Sequence, residues 1–208
     1  MGQHDVKQDS DEAALREFTQ HLIQDVRALE HMLREDMFEE GVRRIGAEQE
    51  LFLVDERGKP APIIDQVLEA NTDDRIVTEL TRFNLEFNMD PIRFGHDCLS
   101  EMEEATQELL STVRSMVQRA GGDIIQTGIL QTIQLAELTL DYMTPRPRYY
   151  ALNDAITRLR GGPGQFQIRG VDELFMKHDT IMLEGCNTSF QTHFQVSPEE
   201  FPRFYNIA

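Results

Sequence analysis

The run Arg44-Ile45-Gly46-Ala47-Glu48-Gln49-Glu50-Leu51-Phe52-Leu53-Val54 decides how the rest of the chain is read. Its apolar, β-favouring residues, followed by the turn-forming Asp55-Glu56-Arg57-Gly58-Lys59-Pro60, predict a strand. Side chains at i and i+2 of a strand share a face about 6 to 7 Å apart, so Glu48 and Glu50 point one way and Gln49 and Leu51 the other. Ile45, Leu51, Phe52, Leu53 and Val54 mark the strand as mostly buried, and unpaired carboxylates beside a core cost several kcal/mol each. Either this is an edge strand that shows both glutamates to water, or a cation neutralises them. Mg²⁺ suits the second case, because it prefers hard carboxylate oxygens supplemented by waters and phosphates.

A second run, Phe83-Asn84-Leu85-Glu86-Phe87-Asn88, alternates cleanly and stops at Asp90-Pro91. Glu86 and Asn88 repeat the i, i+2 geometry with Leu85 and Phe87 opposite, and no Lys or Thr lies between Phe83 and Met89. Two such strands side by side make a carboxylate-lined floor. Glu79 reads as surface, with the floor as its weaker alternative. In a third run, Ser189 to Val196, Gln191, His193 and Gln195 share one face while Phe190, Phe194 and Val196 cover the other. His193 is either a hydrogen-bonded structural residue or a metal ligand.

Outward from these strands, Leu15, Phe18, Leu22, Val26, Leu29 and Leu33 recur at helical spacing after an N-cap at Ser10 and Asp11. They predict a long amphipathic helix, its outer face solvated or packed on a partner subunit. Residues 1–41 are expected to be an N-terminal helical extension. Further helices are expected over Ile63 to Ala70, Glu101 to Ala120 (stopped by Gly121-Gly122), Tyr150 to Leu159, and from the Ser197-Pro198-Glu199-Glu200 cap to Ala208. Asp123 to Leu130 reads as a buried strand and Phe166 to Ile168 as a weak one. There is no repeat, no low-complexity tract and no long linker. The fold class is α+β, an antiparallel sheet with helices packed on one face, in one domain over 42–208.

The 208 residues are 40% hydrophobic and 27% charged, with a formal net charge of −17. That charge repels nucleic-acid backbones, so no nucleic-acid partner is expected. No apolar run reaches the 18 or so residues that span a bilayer, and Met1 to Glu12 is acidic where a signal peptide is basic, so no membrane is expected either and the cytoplasm is the expected compartment. Cys98 and Cys186 fit no disulfide framework or zinc spacing and read as buried thiols. Gly161-Gly162-Pro163-Gly164 lacks the Gly-Lys-Ser/Thr of a phosphate loop and reads as a turn. Arg146 and Arg148, in a proline-held loop, either clamp a carboxylate or phosphate or are simply solvated. His4, His21, His31, His96 and His178 are expected to be structural or exposed.

Taken in order, Ile45 to Asp55, the Glu86 strand, Pro147-Arg148-Tyr149 and Thr188-Ser189-Phe190-Gln191-Thr192-His193 resemble the glutamate-cysteine ligase family, most of all its bacterial carboxylate-amine ligase branch. The resemblance covers residues 42 to 208. It implies a glutamine synthetase-like fold whose curved antiparallel sheet holds ATP, two or three Mg²⁺ ions and an amino-acid substrate. It further implies phosphorylation of a substrate carboxylate, typically the γ-carboxylate of glutamate, and attack of an amine on the acyl phosphate. Small-molecule substrates, an amino acid and an amine, are thus the partners implied, with homo-oligomerisation left open. Carried over by position, Glu48, Glu50 and Glu86 become metal ligands and His193 the imidazole ligand of a neighbouring metal, while Gln191 faces nucleotide or substrate and Arg148 the substrate carboxylate. Some relatives have a His-x-His pair where this chain has Gln191-Thr192-His193. The family's later acidic and arginine elements fall beyond Ala208, so the chain is expected to be the N-terminal part of the catalytic domain. A noncatalytic binding module on the same sheet and a metal-dependent phosphotransferase are the other readings of the floor.

Overall fold

The structure is a computed structural model that describes residues 12–69 and 71–208. The expected N-cap at Ser10 and Asp11, His4, and the helix end at Ala70 lie outside the described residues. In chain order come α1 (Glu12–Arg34), β1 (Arg44–Val54), α2 (Ile64–Leu68), β2 (Ile76–Thr78), β3 (Asn84–Asn88), β4 (Ile92–Arg93), α3 (Cys98–Arg119) and β5 (Asp123–Ile125). Then follow α4 (Pro147–Arg160), β6 (Gly164–Arg169), β7 (Glu173–His178), β8 (Phe190–Phe194) and α5 (Phe201–Tyr205), with short 3₁₀ turns at Leu135–Glu137, Leu140–Tyr142 and Met182–Cys186.

β1 is the hub of an antiparallel six-stranded sheet. β3 and then β4 run along one edge of it, with Glu48 opposite Asn88, Glu50 opposite Glu86 and Ile45 opposite Ile92. β8 and β5 share the other edge, with Gly46 opposite His193, Glu48 opposite Gln191 and Leu53 opposite Ile124. β2 adds outside β3, placing Val77 opposite Glu86. An edge position for Glu48 and Glu50 is thereby excluded, since β1 is paired on both sides. The turn after β1 is tied by the Asp55 carboxylate, which accepts the Arg57 and Lys59 amides at 2.8 and 2.9 Å, while Gly58 supplies the left-handed φ of 70° that a side chain resists.

The odd-numbered face of β1 carries the core. Ile45, Ala47, Leu51 and Leu53 pack with Leu85 and Phe87 against Ile64 and Val67 of α2 and Met102, Leu109, Val113, Met116 and Val117 of α3. The residues of α3 on that side recur at three and four, the helical spacing of an apolar stripe. The other face divides. Phe52 and Val54 at its far end meet Phe83 and Leu130, and the Glu48–Glu50 half stays open.

Several expectations are corrected. Among the described residues, α2 and α3 alone cover the core face, whereas α4 packs at the sheet's end, where Tyr149 joins Leu80, Met143 and Met182. α4 starts at Pro147 rather than Tyr150, because proline's fixed φ suits the first helical position. The buried strand from Asp123 ends at Ile125, and Ile129 is 59% exposed. Phe166 to Ile168 belongs to the separate β6–β7 hairpin rather than to the main sheet. β8 exposes all five residues, and its apolar face is only partly covered: Phe190 stays half exposed and Phe194 meets the Phe94 ring edge-on at 5.5 Å. The last helix is short, ending at Tyr205.

Candidate functional site

Because opposed residues of an antiparallel pair share a face, the register fixes what the open half of the sheet displays. Across it run His193 and Gln191 of β8, Gly46, Glu48 and Glu50 of β1, and Asn88, Glu86 and Asn84 of β3. Glu79 follows β2 and keeps the alternation of Val77, which brings it onto the same floor. Carboxylate oxygens of Glu50, Glu79 and Glu86 lie within 4.8 Å of one another. Glu79 is therefore not the surface residue expected. The signal for it was Ile76-Val77-Thr78, a strand too short to show periodicity.

Hydrogen bonds orient all three, the Leu80 amide serving Glu79. Glu50 Oε2 accepts the Ser189 amide at 2.8 Å and the Ser189 hydroxyl at 3.3 Å, which fixes the orientation of the carboxylate. Asn88 Nδ2 donates to Glu86 Oε1 at 2.8 Å. Behind them Gln49, buried on the core side, donates to the Ser189 carbonyl at 3.2 Å and accepts from Gln126 at 3.1 Å, so β8's lead-in is anchored to β1 from both faces.

The cluster is short of positive charge. Burial pushes the Glu79 carboxyl up to about 7, and repulsion from Glu86 and Glu50 adds to it against the pull of the Leu80 amide and, more weakly, of Arg148. Glu86 is raised as well, by burial first, with Glu48 and Glu50 working against the Asn88 hydrogen bond. Hard oxygens, crowded and reluctant to ionise, form a donor set that suits a divalent cation. A cavity of about 130 Å³ adjoins them, lined by Glu50, Glu79, Asn84, Asn187 and Ser189 among others. Asn84 is 1% exposed and its Nδ2 has no partner, an orphan donor costly to bury unless an oxygen from a ligand or water meets it. Gly185 makes the cavity wall possible, since a Cβ there would stand 2.0 Å from Thr81 Cγ2.

Glu48 and His193 lie to one side of the cluster. His193 Nε2 is 3.5 Å from Glu48 Oε1 and 3.1 Å from Gln191 Oε1, so the three meet as a second polar group. On the opposite side, the Tyr149 hydroxyl donates to the Thr78 carbonyl at 3.2 Å and Thr144 Oγ1 to that of Glu79 at 2.6 Å. These bonds hold the first turn of α4 beside Glu79. Half-buried Arg148 lies over the Tyr149 ring at 5.1 Å and acts electrostatically on Glu79, whereas Arg146 is exposed. Cys98 is buried and Cys186 half-buried, and burial raises the Cys186 thiol, the opposite of what a nucleophile needs.

No helix among the described residues is long and apolar enough to cross a membrane. Compared with known proteins, residues 44–200 match the family described as Glutamate-cysteine ligase family 2 (GCS2). No curated protein and no solved structure matches the chain.

Proposed function

Because the chain belongs to glutamate-cysteine ligase family 2, we propose that it serves as an ATP-dependent carboxylate-amine ligase on a glutamine synthetase-like sheet, with the open floor of β1, β3 and β8 as its active site. The observation that carries this reading is the Glu50–Glu79–Glu86 cluster, three carboxylates within 4.8 Å inside the matched segment. In the reaction, a substrate carboxylate oxygen attacks the γ-phosphorus of ATP and ADP leaves. The amine then attacks the acyl carbon, phosphate departs with that oxygen, and the amine loses a proton. The typical donor is the γ-carboxylate of glutamate, giving a γ-glutamyl amide.

Glu50, Glu79 and Glu86 would hold one Mg²⁺, and Glu48 with His193 a second. Bound there, Mg²⁺ supplies charge neutralisation along the phosphoryl oxygens. The chain's own groups do the rest. Ser189 and Asn88 keep Glu50 and Glu86 in fixed orientation, so little reorganisation accompanies the reaction. Arg148, held at the floor's rim by Tyr149, receives the substrate carboxylate as a planar two-pronged donor. Gln191 faces nucleotide or substrate from β8. Asn84 Nδ2 donates to a ligand oxygen entering the cavity.

The test is ADP release from the protein with Mg²⁺, ATP and a panel of amino acids and amines. Turnover that requires both co-substrates supports the ligase. Nucleotide binding without turnover would assign a binding module, and ATP hydrolysis indifferent to amino acids a phosphotransferase.

A further inference from the structure

α1 is 23 residues long and buries none of them. Six of its large apolar side chains, Leu15, Phe18, Leu22, Val26, Leu29 and Leu33, are each 47 to 61% exposed, and a seventh, Ile23, is 48% exposed on the flank beside them. At 3.6 residues per turn these six fall within an arc of about 80°, a seam roughly 30 Å long. Isolated helices owe most of their stability to packing of such a seam, and the described chain offers it nothing to pack on. We infer that α1 pairs antiparallel with α1 of a second copy of this chain.

Two features select that occupant. The polar side of α1 carries four acids (Glu12, Glu17, Asp25, Glu30) against three bases (Arg16, Arg27, Arg34), so it lacks the cationic face that seats a helix on an anionic lipid surface. It is also nearly neutral in a chain of net charge −17, which makes it a surface where two copies can approach without strong repulsion. Its charges then set the direction. Glu12, Arg16, Glu30 and Arg34 all lie on one flank, about 80° to 120° around from Leu22. In an antiparallel pair that flank meets its own copy, and Glu12 comes opposite Arg34 while Arg16 comes opposite Glu30. The same register sets Leu15 between the partner's Leu29 and Leu33, knob into hole. A parallel pair sets this flank against the opposite one and makes neither ion pair. The helix dipoles favour the antiparallel choice too. Two copies closing over the seam bury on the order of 1,000 Å² in total, the size at which specific interfaces begin.

The test is light-scattering mass of the full chain after size exclusion, joined to cysteine cross-linking. Twice the 24.0 kDa of one chain is expected. The double substitution Leu22→Glu with Leu29→Glu is expected to halve that mass while the main unfolding transition stays in place. Leu15→Cys copies mixed with Leu29→Cys copies are expected to form a disulfide-linked dimer, which Leu15→Cys alone does not. A monomeric wild-type chain, a dimer that survives the double substitution, or cross-linking of Leu15→Cys to itself would overturn the inference. So would α1-dependent flotation with phosphatidylserine vesicles of an otherwise monomeric chain.

Discussion

Replacing Glu79 with glutamine is expected to stabilise the metal-free protein, a result that removing an ordinary carboxylate does not give. The Glu79 carboxyl, ordinarily at 4.5, is pushed up to about 7 by burial and then by Glu86 and Glu50. The folded state thus holds this proton more tightly than the unfolded chain does. Below about pH 4.5 both states are protonated and there is no cost; as the pH rises toward 7 the cost grows, and above 7 it is constant. At 1.36 kcal/mol per unit the full penalty is about 3 kcal/mol. Glutamine stays neutral and can still accept the Leu80 amide. Glu79→Gln should therefore raise Tm by roughly 6–12 °C near pH 8, at about 2–4 °C per kcal/mol for a chain of this size, and leave it unchanged near pH 4. Saturating Mg²⁺ should raise wild-type Tm at the higher pH and do much less for the variant. Thermal unfolding followed by circular dichroism against pH measures this. A Tm near pH 8 that is unchanged or lowered would refute the crowded-carboxylate reasoning.

Other substitutions probe the floor and its supports. Glu50→Gln should cut ADP release by about 100-fold or more, because it removes charge stabilisation where phosphoryl charge develops. Arg148→Ala should raise KM for the carboxylate substrate about tenfold with a smaller change in kcat, and Arg148→Lys should not restore it, lacking the two-pronged geometry. Gly185→Ala should lower stability by about 1–3 kcal/mol in denaturant unfolding, since the methyl group has no room beside Thr81. Phe87→Ala, at 0% exposure between β3 and α3, should cost about 3–5 kcal/mol by the same measurement.

What the sequence disclosed follows from how far a local pattern reaches. β1, β3 and α3 were legible because each is long enough for its period to repeat, and the shared face of Glu48, Glu50, Glu86, Gln191 and His193 follows from period two once the strands pair. Glu79 was hidden because β2 is three residues long and only its pairing with β3 turns Glu79 toward the cluster. Asn84 sits two residues before Glu86 on the same face, and its importance lies in burial without a partner, which no spacing reveals. The exposed face of α1 and the half-exposed face of β8 were equally invisible, because an amphipathic pattern states that a face is apolar and not what covers it.

Acyl-phosphate chemistry on the β1–β3–β8 floor leaves an isotopic trace in the phosphate it releases. The amino-acid substrate is supplied with ¹⁸O in its reacting carboxylate and the inorganic phosphate is analysed by mass spectrometry. One ¹⁸O is expected to pass from that carboxylate into phosphate in each turnover, and to be lost together with turnover in Glu50→Gln. Phosphate released without the label, with both labelled oxygens still on the amino acid, would contradict it.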